Sequence, residues 1–402
     1  MIEKNLQSNI WKYTLFLITN KRVFLAILGA YYLTIPGVTP EGIGIILLIG
    51  SFSQVIFEIP SGYLSDKIGH KTALVLSRLF MLASTLFFLF ANSIGFLILG
   101  GVFMSIGYAF FGGTGNAFMY ETLQALKREN EYAKIMGKIS SIGLMVPIIF
   151  IVLTPFLVSI SFKAPFVVAL VFNVIGIIAA ALLVSPSVPQ EKIKEIQVTK
   201  FKQVVKEGCR LNFFVFALFS GIIAGVVFGI EGFRAPYQVF LEVPVIWYGV
   251  LFGLGRMFAS LLTAYSGKIR ERVSLFGFYR FQLIFYTLLI LTLGFISSWQ
   301  VAVATFIVID AVRWGLNRVD NSYLIDIIKT SKFKSTLLSI QAQIIQIIAA
   351  IASFGIGFTI ERLSYQYGFI YLGLIFIVIL LPLYLYIVSK HKSVNAALVQ
   401  VK

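Results

Sequence analysis

Apolar runs of bilayer-spanning length recur along almost the whole chain, parted by short polar, proline or glycine breaks. They lie near residues 11–37, 42–64, 71–91, 94–126, 132–160, 163–185, 209–240, 244–266, 273–296, 298–328, 334–361 and 366–389. A run of about 20 apolar residues matches the hydrocarbon core of a membrane. Within that core the backbone must satisfy its own hydrogen bonds, which for one apolar run means a helix. The pattern therefore predicts an all-α membrane protein with about twelve transmembrane helices. Composition excludes the soluble alternative: 58% of the 402 residues are hydrophobic and 12% charged, against roughly a quarter charged in an ordinary globular domain.

The net charge of +16 would suggest a nucleic-acid partner in a soluble protein, but here the basic residues fall in alternate short connections. Lys67 and Lys71, then Lys127, Arg128, Lys134 and Lys138, then the stretch from Lys192 to Arg210, then Lys268, Arg270 and Arg272, then Lys329, Lys332 and Lys334, then Lys390 and Lys392 form one set. The other set is nearly bare, with Glu41, Lys163, Glu242, Glu361 and Arg362. The positive-inside bias accounts for this alternation without nucleic acid and places both termini in the cytoplasm of a multi-pass cell-membrane protein. The first run is too long for a signal core and contains Lys21 and Arg22, so it is read as a retained span.

Chemistry of other kinds lacks material. Cys209 is the single cysteine, and His70 and His391 are the two histidines, so neither a cysteine cage nor a histidine-based hydrolytic site is expected, and no metal, cofactor or catalytic residue is predicted. No Gly-x-x-x-x-Gly-Lys-Ser/Thr run is present, which removes the usual phosphate cradle of an ATP-driven machine. The longest polar stretch falls mid-chain, giving expected units of 1–185 and 209–402 joined by a solvated connection at 186–208.

Between the second and third runs stands Gly62-Tyr-Leu-Ser-Asp-Lys-Ile-Gly-His-Lys71, read as a tight charged turn at the membrane surface. Gly62, Leu64, Asp66, Lys67, Gly69 and Lys71 resemble the signature loop of the major facilitator superfamily, with His70 in place of the usual arginine. Together with Phe57 to Ser61 and the number of spans, the resemblance extends over nearly the whole chain. It implies two pseudo-symmetric six-helix bundles, a small-molecule substrate, and alternating access by rocking of the bundles about a midplane site. Placing Lys268-Ile269 on Lys67-Ile68 aligns the turn after the eighth span with that after the second. Gly267 then stands where Asp66 is and Arg270 where Gly69 is, so a conformational latch is expected mainly in the first half.

Polar residues inside the spans point to function, because a charge buried in lipid needs a cavity or a partner. Asp310, Arg313, Asn317 and Asp320 follow a three-four-three spacing that sets them on one face of a helical tenth span, with Trp314 and Asn321 beside them. Glu231 and Arg234 lie one turn apart in the seventh, as a structural ion pair or as a coupling pair broken by a proton or substrate. Gly221, Gly225 and Gly229 form a smooth ridge in the same span. Asn20, Lys21 and Arg22 mark the first span, and Asn116 and Tyr120 the fourth. Spans one, four, seven and ten are those that line the central cavity in the superfamily. Glu58 and Glu121 are expected to make gating contacts with cytoplasmic basic residues.

The resulting expectation is a secondary transporter of a small organic solute, proton-coupled through Glu231, Asp310 or Asp320 and embedded in the lipid bilayer as a monomer. A carboxylate that moves between apolar and arginine-flanked surroundings changes its proton affinity, which is what coupling needs. The likeness of residues 57–71 to efflux-type members favours export, although the arginine in the fourth span and the repeated glycines in the fifth that drug-proton antiporters show are absent. Uptake of a polar or anionic metabolite by proton symport is the alternative favoured by the arginine-rich tenth span. A lipid flippase and a nontransporting receptor are alternatives of other classes.

Overall fold

Bilayer-length apolar runs become helices, and the computed structural model describes residues 2–186, 198–331 and 333–400 in those terms. In chain order the helices are α1 (Ile2–Gln7), α2 (Asn9–Thr19), α3 (Leu28–Tyr32), α4 (Pro40–Ile68), α5 (His70–Leu89), α6 (Ile94–Ala125), α7 (Tyr132–Leu153), α8 (Ala164–Ala181), α9 (Val198–Arg210), α10 (Phe213–Phe240), α11 (Tyr248–Ala264), α12 (Ser266–Arg272), α13 (Leu275–Phe295), α14 (Trp299–Gly315), α15 (Asn317–Ile327), α16 (Lys334–Arg362) and α17 (Tyr365–Gln400). The described residues contain no strand. Of the expected connection at 186–208, residues 187–197 lie outside the described residues, and α9 occupies its end.

Eleven helices among the described residues are long and apolar enough to cross a membrane. The remaining expected span, 11–37, is not one helix. It stops at Thr19, passes through turns over residues 20–27 and resumes as the short α3. The break coincides with the polar triplet Asn20-Lys21-Arg22, and the Val23 carbonyl exposed by it accepts a hydrogen bond from Thr154 Oγ1 at 2.6 Å. The tenth span is likewise divided, at Leu316 between α14 and α15.

The charged turn is also shorter than its sequence suggests. α4 runs on through Ile68, and the chain reverses at Gly69 alone, whose φ of +88° suits a residue without Cβ. Gly62, Leu64, Asp66 and Lys67 are therefore helical residues, and α5 begins at His70. Nothing in the stretch from Gly62 to Ile68 opposes continuation of a helix already formed, so the propagating hydrogen-bond ladder prevails over a single glycine.

The chain forms two compact units. Unit 1 comprises Met1–Gly42, Ile49–Glu195 and Pro244–Gly253; unit 2 comprises Ile43–Leu48, Ile196–Val243 and Leu254–Lys402. In unit 1, α5 packs along α6 and α8. Ser77 Oγ donates to the Gly107 carbonyl and Ser84 Oγ to the Gly100 carbonyl, each at 2.7 Å. Small polar residues thereby bring two apolar helices close where hydrophobic burial alone gives no preference over lipid. In unit 2 the glycine ridge of α10 lies against α16. A Cβ on Gly221 would stand 2.7 Å from Ile344 Cγ2, and one on Gly225 2.6 Å from Ile348 Cβ.

Candidate functional site

Unit 2 gathers most of the charge that the spans carry. Asp310, on α14, is 1% exposed. Arg234 of α10 places Nη1 3.6 Å from its Oδ2, and Arg256 of α11 places Nη2 3.6 Å from its Oδ1. Neither carboxylate oxygen has a hydrogen-bond partner, so the group is held by charge at ion-pair range without the directional bonds of a tight fork. A glycine makes this approach possible: a Cβ on Gly255 would come within 2.7 Å of Asp310 Oδ2.

Trp314, one turn along α14, joins this group to its neighbour. Its Nε1 donates to Glu231 Oε1 at 3.2 Å, and the Arg256 guanidinium lies 4.2 Å from its ring centroid. An aromatic face and two carboxylates thus surround the arginines, which lowers the cost of their partial burial.

Arg313 serves a different place. Its Nη1 donates to Asn317 Oδ1 at 3.0 Å, bridging the break at Leu316. Arg313, Asn317 and Asp320 line a pocket with Ser220, Gln282 and Tyr286. Asp320 is 7% exposed, and its Oδ1 has no hydrogen-bond partner. The expected single face is consequently split: Asp310 turns to the arginines of α10 and α11, while Arg313, Asn317 and Asp320 border the pocket. The break at Leu316 is not the cause, since Asp310 and Arg313 both precede it in α14; three residues leave two side chains about 60° apart around a helix, enough for Asp310 to reach α10 and α11 and Arg313 the pocket.

The polar residues of unit 1 occupy three places. Arg22 lines a pocket beside the break in the first span. Asn116 is exposed on α6. Near the ends of α4 and α6, His70 Nε2 lies 3.4 Å from Asp66 Oδ1 and its Nδ1 2.9 Å from Glu121 Oε2. Gly62, Leu64 and Lys67 are exposed and Lys71 half-buried. Glu58 lies against α6, its Oε1 3.5 Å from the position a Cβ would take on Gly112.

Three contributions escaped the reading of spans one, four, seven and ten. Arg256 is in the eighth span and Arg78 in the third, where Arg78 is 1% exposed; a lone arginine inside an apolar run was the available signal. In the half expected to carry the lesser part of a latch, Arg270 donates to Ser322 Oγ at 3.1 Å and pairs with Asp326. That contact joins the turn after the eighth span to the end of the tenth, as His70 and Glu121 join the turn after the second to the end of the fourth. The second copy has exchanged its residues and kept an ionic contact.

Residues 13–325 match the family described as Major Facilitator Superfamily. The uncharacterized MFS-type transporter YxaM of Bacillus subtilis (strain 168) is 22% identical over 237 residues, which span 58% of this chain and 58% of that protein. Among solved structures, the nucleoside transporter NupG has a TM-score of 0.74 at 14% identity, covering 96% of this chain and 99% of that one. An inward-facing, unoccupied bacterial homolog of the human lysosomal transporter Spinster has a TM-score of 0.70 at 16% identity, covering 95% of each chain. At these identities the structural likeness speaks for the fold.

Proposed function

This chain belongs to the major facilitator superfamily, and we propose that it is a proton-coupled secondary transporter that moves a small organic solute across the cell membrane by alternating access. The observation that carries the coupling is Asp310, buried 3.6 Å from both Arg234 and Arg256 and hydrogen-bonded to neither. A proton on Asp310 removes the charge that holds the two guanidinium groups near one another, so proton binding and the packing of α10, α11 and α14 are linked. A ligand shifts a conformational equilibrium by its difference in affinity for the two states, and on this reading the proton has that difference because Asp310 keeps both arginine neighbours in one state only.

Export is the first reading of direction, from the likeness of residues 57–71 to efflux-type members. Uptake of a polar or anionic metabolite is the second, favoured by the basic pocket at Arg22. Purified protein in proteoliposomes, with a pH gradient imposed in either sense and a panel of candidate solutes, separates them. Asp310→Asn is expected to leave counterflow measurable and to abolish gradient-driven accumulation. Accumulation that persists in Asp310→Asn would remove Asp310 from the coupling step.

A further inference from the structure

In unit 1 the broken first span meets α5, α6 and α8 around a small open pocket. Lys21, Arg22, Arg78, Asn20 and Asn173 line it, and no aspartate or glutamate does. Arg78 anchors the arrangement. It donates from Nη1 to Asn20 Oδ1 at 2.8 Å and from Nη2 to the carbonyl of Thr19, the last residue of α2, at 2.5 Å. Its guanidinium also lies 5.4 Å from the ring centroid of Phe16. The cation therefore sits on the negative end of a broken helix. These partners are neutral, and the Nε of this buried side chain has no hydrogen-bond partner.

Arg22 is more accessible and more weakly held. Its Nη1 lies 3.3 Å from Met104 Sδ and its guanidinium 5.1 Å from the ring centroid of Tyr108. A thioether and a ring face are poor acceptors beside an oxyanion, which takes charge-assisted bonds from a guanidinium. Among the described residues, no carboxylate lies within 4.0 Å of Arg22 or Arg78.

The two units differ in this respect. Unit 2 sets Arg234, Arg256 and Arg313 among Glu231, Asp310 and Asp320. In unit 1, Arg22 and Arg78 border a pocket whose lining includes no aspartate or glutamate, and a partly buried cation without a nearby counter-charge is costly. We propose that this pocket binds the oxyanion headgroup, carboxylate or phosphate, of a small organic solute, with Arg22 and Lys21 as contacting cations and Arg78 as the positioning residue that holds Asn20 and the helix break. The inference rests on the reading of the chain as a carrier and names the substrate class.

The full-length protein in neutral detergent, without a pH gradient, is titrated with succinate, glycerol 3-phosphate and phosphatidylglycerol, with butane-1,4-diol and glycerol as uncharged counterparts. Thermal unfolding reports binding, since a ligand selective for the folded state raises the midpoint. Succinate or glycerol 3-phosphate is expected to raise it where the diol and glycerol do not. Arg22→Gln should weaken that anion about tenfold or more, with partial recovery in Arg22→Lys. Lys21→Gln carries the same comparison should Arg22→Gln fail to fold. Stabilisation by phosphatidylglycerol alone would make this a lipid headgroup site and overturn the proposal, as would an unresponsive wild type or affinity unchanged in the variants. Because binding is read without a gradient, its loss beside intact proton-driven transport overturns this inference alone. Intact binding beside transport that ignores the gradient overturns the coupling reading alone.

Discussion

His70 Nδ1 stands 2.9 Å from Glu121 Oε2, tying the first residue of α5 to the last turns of α6. Its other ring nitrogen lies 3.4 Å from Asp66, so one imidazole bridges carboxylates from two helices. Arginine, the usual residue of the superfamily loop at this position, would make the same bridge as a permanent cation. His70→Arg is therefore expected to retain transport, and His70→Ala to change the counterflow rate in proteoliposomes. Equal rates in wild type and His70→Ala would show that the bridge does not gate exchange.

Asp66→Asn tests the same latch from its exposed side. The Asp66 side chain is 57% exposed, and exposed pairs contribute about 0–1 kcal/mol. Thermal stability should stay within that margin while the transport rate changes. A rate untouched by Asp66→Asn would exclude Asp66 from the conformational cycle.

Arg256 and Asp310 should behave as one unit. Arg256→Gln leaves the buried Asp310 with one arginine fewer, and breaking a buried pair from one side costs about 3–5 kcal/mol. The double variant Arg256→Gln/Asp310→Asn should lose less stability than the two single losses combined, because neither charge is then left behind. Additive losses in thermal unfolding would mean the 3.6 Å contact carries no coupling energy.

The glycine ridge of α10 gives a packing test. A Cβ at Gly225 would meet the Ile345 carbonyl at 2.8 Å as well as Ile348, and backbone cannot rotate aside as a side chain can. Gly225→Ala should cost about 1–3 kcal/mol through overpacking. Gly113 on α6 has nothing within 4 Å of its Cβ position, so Gly113→Ala should be neutral or mildly stabilising through helix propensity. Thermal midpoints of the two variants compare them directly.

The outline of the fold was legible because hydropathy acts locally. A long apolar run has few alternatives to a helix once it is in lipid, whatever its neighbours do. The site was legible only as candidates. Glu231, Arg234, Asp310 and Arg313 could be picked out as charges in apolar surroundings, but their partners are set by packing. The i,i+3 spacing of Glu231 and Arg234 suggested a mutual pair, and to that neighbourhood the structure adds Trp314 on Glu231 and Asp310 on Arg234, partners from another helix. Arg78 shows the same limit, since its nearest oxygens belong to residues 58 and 59 positions away in sequence.

By itself the sequence determined that this is a helical membrane protein, where eleven of its membrane-length helices lie among the described residues, and that a signature charged segment joins the second span to the third. Each of these follows from residues adjacent in the chain. The tertiary structure decided that the first span breaks at Asn20, that the tenth divides at Leu316, and that Asp310 turns to Arg256 rather than to the pocket shared by Arg313 and Asp320. A break in a membrane helix persists only where other segments take up the freed carbonyls, as Arg78 does for Thr19 and Thr154 for Val23. An ion pair likewise forms only where two helices bring its charges together.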